Sequence, residues 1–159
     1  MAIVAYLETE NGNFKKSAFE VSSYGRKLAD ETKTNLYGIA FNSSDPHKIQ
    51  KYGVEKLINI KINHVFDAGI YADLLCKNFK ELGGTIFITG SSADSRFIFP
   101  VVSILLDASY ATNVVDFPSG ISPLVLKRSA FTNKGFVFTE LKTKYKIIGI
   151  LNNSYGIFE

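Results

Sequence analysis

Ala2–Leu7 (AIVAYL) is an unbroken apolar run, the pattern of a strand buried on both faces of a parallel sheet. The turn residues Asn11-Gly12-Asn13 follow. From about Lys15 to Thr32, Ala18, Val21, Gly25 and Leu28 then fall on one stripe at helical spacing, with charges elsewhere. Leu36–Phe41 reads as a second strand and Val54–Ile60 as a third, with a short helix between them after Asp45-Pro46, where proline suits the first helical turn. Phe66, Ile70, Leu74 and Leu82, with Tyr71, Leu75 and Phe79 beside them, predict a second long amphipathic helix that Gly83-Gly84 stops. Thr85–Thr89 is a fourth strand, and a third helix runs through Val101, Val102, Leu105 and Leu106.

Strand alternating with helix in this way defines an α/β domain with a parallel sheet and right-handed crossovers. The pattern changes after Pro118. LVLKRSAF, GFVFTELK and KYKIIGIL are three strand-like runs, separated by Thr132-Asn133-Lys134 and by Lys142-Thr143-Lys144. Two hairpins are predicted, placing antiparallel strands at the C-terminal edge of the sheet. The expectation for residues 1–159 is thus one domain of three layers, helices on both sides of a parallel sheet. That is a Rossmann-like arrangement of the adenine nucleotide alpha hydrolase kind.

Composition narrows the class. Apolar residues make up 46% of the chain and charged ones 21%, as in a soluble globular protein. The formal charge of +3 comes from scattered lysines and forms no basic stripe, so a nucleic-acid partner is not expected. Cys76, the single cysteine, has no internal disulfide partner and falls in a helical pattern, which points to a reducing compartment and a buried, inert thiol. The N-terminal MAIVAYLETE lacks the basic lead of a signal peptide, and FIFPVVSILL is roughly half the length of a membrane span and contains Pro100. A cytoplasmic chain with no membrane partner is expected.

The stretch TGSSADSR, residues 89–96, carries the main candidate chemistry. Glycine and serine after a strand end, followed by a helix start, suit an anion, so Ser91, Ser92, Ser95 and Arg96 are candidate phosphate-binding residues. The competing and favoured reading is a capped helix, with Ser92 or Asp94 as the cap and Arg96 in a local ion pair. GSSADS faintly resembles the phosphate loop of adenylating pyrophosphatases, but that loop follows the first strand and carries paired glycines. The nucleotide-binding stress proteins use the loop after the fourth strand, yet with several glycines that are missing here. His47 and His64 lie in polar connections with no second ligand at helical spacing, so no metal is expected. Asp67 reads as a helix cap and Asp73 as part of a solvated face. No nucleophile motif is present, and catalysis by this chain is not expected. On the predicted hairpins Lys127, Arg128, Phe131, Phe136, Phe138 and Tyr145 crowd together, more aromatic surface than one face of a small sheet buries, and they are the candidate protein interface.

An ordered set of motifs resembles the N-terminal domain of the alpha subunit of electron transfer flavoproteins over essentially the whole chain. Gly12-Asn13-Phe14-Lys15-Lys16, Glu20 and Gly25-Arg26-Lys27-Leu28-Ala29-Asp30 are similar to the family's opening motif, and Tyr52-Gly53-Val54-Glu55-Lys56 to its next. Ser91, Ser92, Arg96, Pro100 and Leu105 or Leu106 follow in family order, then Asp116, then Lys127-Arg128 with Asn133-Lys134. Ser95 stands where the family has a glycine, and Asn133 stands at the hairpin glycine, a change compatible with positive φ. An Arg-Pro usual near Ser154-Tyr155 is missing. The resemblance implies a scaffold domain that packs against a beta-type subunit, within a carrier of electrons from flavin dehydrogenases to an acceptor. It places FAD in a separate C-terminal domain, whose glycine- and serine-rich motifs do not occur in these residues, so no cofactor is expected on this chain alone. Cut off from its partner, the hairpin surface is expected to form homodimers. The competing reading is a stand-alone nucleotide-binding module resembling universal stress proteins.

Overall fold

The computed structural model describes residues 1–159. The first strand, β1 (Ala2–Tyr6), is followed by a small antiparallel ribbon, β2 (Thr9–Glu10) with β3 (Asn13–Phe14), that turns at Asn11-Gly12. Then come α1 (Lys16–Thr32), β4 (Asn35–Phe41), a 3₁₀ helix (Pro46–Tyr52), β5 (Lys56–Ile60), α2 (Ala68–Glu81), β6 (Gly84–Thr89) and α3 (Ala93–Leu106). The remainder is β7 (Ser109–Val114), β8 (Gly120–Ile121), β9 (Leu124–Ala130), β10 (Gly135–Leu141) and β11 (Lys146–Ile150). Nine strands form one sheet in the order β10-β9-β7-β11-β6-β1-β4-β5, with β8 paired to β9. All neighbours from β7 to β5 run parallel, and β9 and β10 are antiparallel at the edge. The α/β expectation and the antiparallel edge both hold.

The alternation of side chains divides the core in two. Ile3, Ala5, Leu7, Ile86 and Ile88 pack against α1 on one side, and Val4, Tyr6, Phe87 and Ile147 pack against α2 and α3 on the other. Residues Ala18, Val21, Gly25 and Leu28 of α1 are buried, as their spacing predicts. Arg26, from the same helix, binds Asp30 at 2.7 Å and Glu55 at 2.9 Å. A Cβ on Gly53 (φ +84) would lie 2.3 Å from the Arg26 side chain, so glycine is required there both for the turn and for the space.

Two expectations fail. The run Lys142-Thr143-Lys144 is not a hairpin turn. It carries the chain from the edge back into the sheet, where β11 lies parallel between β6 and β7. The cause is the apolar content of β11: four of its five residues are buried, whereas β10 buries only Leu141, so β11 suits the centre and β10 the rim. The stripe of α2 is also displaced. Its buried residues are Ala72, Leu75, Cys76 and Phe79, while Phe66 and Ile70 are 38% and 39% exposed. Small Ala72 and Cys76 let α2 lie against α3, and Phe79 stacks on Phe87 at 4.9 Å.

Candidate functional site

From β1 the chain goes outward to β4 and β5, then returns to β6 on the other side of β1. The C-terminal ends of β1 and β6 therefore flank the switch point, where open α/β sheets present a ligand crevice. One residue past the apolar run of β1 stands Glu8, only 6% exposed. The loop after β6 delivers Ser92 to the N-cap of α3. Its hydroxyl accepts the Ser95 N–H at 3.0 Å and donates to Oε1 of Glu8. The fully buried Ser95 hydroxyl reaches the same oxygen at 3.1 Å and lies 3.1 Å from the Thr89 hydroxyl. Lys15 Nζ approaches Glu8 Oε2 at 3.7 Å, and the Lys15 amide donates to the Glu8 carbonyl at 2.9 Å, so the β2–β3 ribbon brings Lys15 back over the strand end. Oε2 is sealed from solvent and accepts no hydrogen bond. With one oxygen engaged by two hydroxyls and the other closed off, this carboxylate is not placed to take a proton from a substrate.

The four anion candidates do not converge. Ser92 and Ser95 turn toward Glu8. Ser91 accepts the Asn152 N–H at 3.2 Å and, with Arg96, borders a separate depression of about 260 Å³ beside Tyr110, Thr112 and Asn113. The capped-helix reading holds for Ser92, but the ion pair expected of Arg96 does not form. Its nearest acid in sequence, Asp94, is two positions away and so on a different face of the helix. Burial pushes the Tyr110 phenol above its ordinary range, and the Arg96 charge opposes that shift.

Glu8 and Lys15 also line a depression of about 280 Å³ that is bordered by Tyr6, Phe41, Phe66 and Tyr71 and by Asp94. Phe41 and Tyr71 stack at 4.4 Å. Burial raises the Tyr6 phenol, with Glu8, Tyr71 and Asp94 adding to the effect; burial and then Asp94 raise Tyr71. Asp67 caps α2 through the Ile70 N–H. No group of three or more His, Cys, Asp or Glu side chains is assembled for a metal.

Away from the crevice, Phe131, Phe136 and Phe138 are 75%, 58% and 62% exposed. Leu124 and Leu126 of β9 point into the core on the α1 side, so Lys127, Phe136 and Phe138 stand on the opposite face, the side that carries α2 and α3. Lys127 Nζ lies 4.4 Å from the Phe136 ring centre. Arg128 is engaged within the fold. It donates to the Thr112 carbonyl at 2.7 Å and to the Thr112 and Thr139 hydroxyls, tying the hairpin to β7. Tyr145 lies apart from the phenylalanines, edge-on to Phe79 at 5.7 Å.

Sequence reasoning missed three features. Phe97, Ile104 and Leu105 leave a second apolar stripe exposed on α3, legible as a helix apolar on all sides. Glu8 was legible as a charge closing a fully apolar strand. Glu20 is 5% exposed and accepts N–H groups of Asn153, Tyr155 and Gly156 at 2.8–3.2 Å, clasping the last segment of the chain to α1.

The fold and its crevice define a protein of the Rossmann-like α/β type, with helices on both faces of an open sheet and a polar cluster at the switch point. The electron transfer flavoprotein domain family matches residues 3–157, and the chain belongs to that family of electron carriers. No curated protein matches the chain. No helix is long and apolar enough to cross a membrane.

Proposed function

We propose that the chain is the N-terminal scaffold domain of an electron transfer flavoprotein alpha-type subunit. It acts through contact surface and has no catalytic role, and FAD is carried on a separate domain. Its partner is a beta-type subunit, and the assembled carrier takes electrons from flavin dehydrogenases in the cytoplasm. The observation that carries this reading is the pairing of a family match over nearly the whole chain with three solvent-facing phenylalanines on the edge hairpin. Exposed aromatics of this size are the usual anchors of protein interfaces. Phe97, Ile104 and Leu105 are further exposed apolar side chains on the same side of the sheet.

The test is binding of the chain to an electron transfer flavoprotein beta-type subunit, followed by calorimetry. Phe136→Ser combined with Phe138→Ser is expected to weaken association at least tenfold while leaving the circular dichroism and melting of the free chain unchanged. The same pair is expected to abolish homodimers of the isolated chain in sedimentation. Equal affinity for both proteins, or stoichiometric FAD on the purified chain, overturns the reading.

A further inference from the structure

The residues at the switch point do not fit a phosphate-bearing ligand, because a carboxylate already stands where the phosphate would. We infer that Glu8 is an internal anion filling the phosphate position of this nucleotide-binding fold, and that it keeps nucleotides out of the crevice. Three observations meet at this point. The place is the one at which an open α/β sheet and a following helix N-terminus hold anions, between the ends of β1 and β6. The groups that would serve a phosphate, the hydroxyls of Ser92 and Ser95 and the ammonium of Lys15, are all turned on Glu8. And Glu8 is almost fully buried with Oε2 accepting no hydrogen bond, its one cationic neighbour being Lys15 Nζ at 3.7 Å, an arrangement that a neutral side chain would make at lower cost in stability.

A buried negative charge within hydrogen-bonding distance of the same donors repels a second anion. At the effective dielectric of a protein surface, that repulsion corresponds to roughly a thousandfold loss of affinity at contact distance. The crevice therefore keeps the backbone and hydroxyls of an anion site and holds it shut from within. Ser95 is part of the closure. A glycine at position 95 would lack the hydroxyl that reaches Oε1 at 3.1 Å.

The experiment compares the chain with its Glu8→Ala and Glu8→Ser variants, using inorganic phosphate and AMP as probes. Binding is followed by calorimetry and by the amide signals of residues 92–96. Both variants are expected to bind phosphate at least tenfold more tightly than the unaltered chain, with shifts centred on Ser92 and Ser95. Adding Ser95→Ala removes the gain. A variant that is folded by circular dichroism yet gains nothing overturns the assignment. If neither variant folds, the unaltered chain still decides: saturable phosphate or AMP binding with shifts at the same amides refutes internal closure, and its absence supports it. Binding to a beta-type subunit is read separately, so either idea can fail alone.

Discussion

The Ser92 hydroxyl serves two residues at once: it accepts the N–H of Ser95 and donates its own hydrogen to the carboxylate of Glu8. One oxygen thus both starts α3 and anchors the end of β1, although 84 residues separate the two partners. Losing a cap costs about 1 kcal/mol, and depriving a buried carboxylate of a donor costs about 1–3 kcal/mol more. Ser92→Ala is therefore expected to lower stability by about 2–4 kcal/mol in urea unfolding. Ser91→Ala, whose hydroxyl accepts only the exposed Asn152 N–H, is expected to cost less than about 1 kcal/mol.

Burial pushes the Cys76 thiol up to about 11 from an ordinary 9.0, with Lys80 opposing and Asp73 adding to the shift. A group whose folded pKa is raised holds its proton longer in the folded state. Its stabilising contribution is complete below pH 9 and is lost as pH rises toward 11. Stability measured by denaturant is expected to fall across that window, and the slope to be shallower in Cys76→Ala. Burial raises the Tyr24 phenol as well, with Tyr155 and Asp116 adding to it, so the decline continues at higher pH. Below pH 9 a thiol reagent is expected to label Cys76 only at the rate of unfolding.

Glu20 holds the final segment through three backbone N–H groups, and the Ser23 hydroxyl adds a fourth contact by accepting the Phe158 N–H at 2.8 Å. Hydrogen bonds to a charged acceptor each contribute about 1.5–3 kcal/mol. Glu20→Ala, which removes three such bonds, is expected to cost at least about 4 kcal/mol and to remove hydrogen-exchange protection at Asn153, Tyr155 and Gly156, with β1 still protected. Glu20→Gln, which keeps one acceptor oxygen, is expected to lose less. Equal protection at these amides in the Ala variant would show that the aromatic packing of Tyr155 on Tyr24, 5.1 Å between ring centres, holds the segment instead.

Local periodicity carried most of the architecture. An apolar run such as AIVAYL buries both faces only in a central strand, and the stripe Ala18, Val21, Gly25, Leu28 has one helical face to offer the sheet. The Ser92 cap was legible for the same reason, since a cap is a contact between near neighbours. What the sequence by itself determined was therefore whatever is decided within a few residues: element type, the edge hairpin of β9 and β10, the caps, and the family motifs. Tertiary structure alone decided the rest. The position of β11 depended on a slot between β6 and β7 that exists only once those strands are assembled, so a hairpin with its sequence neighbour was the wrong inference. The buried face of α2 depended on where α3 lies. The four candidates Ser91, Ser92, Ser95 and Arg96 are close in sequence, but the entry into α3 sends Ser92 and Ser95 to a carboxylate at the end of β1 and leaves Ser91 and Arg96 at a separate depression. Long-range pairing of that kind follows from how strands are ordered in the sheet, which no stretch of residues encodes locally.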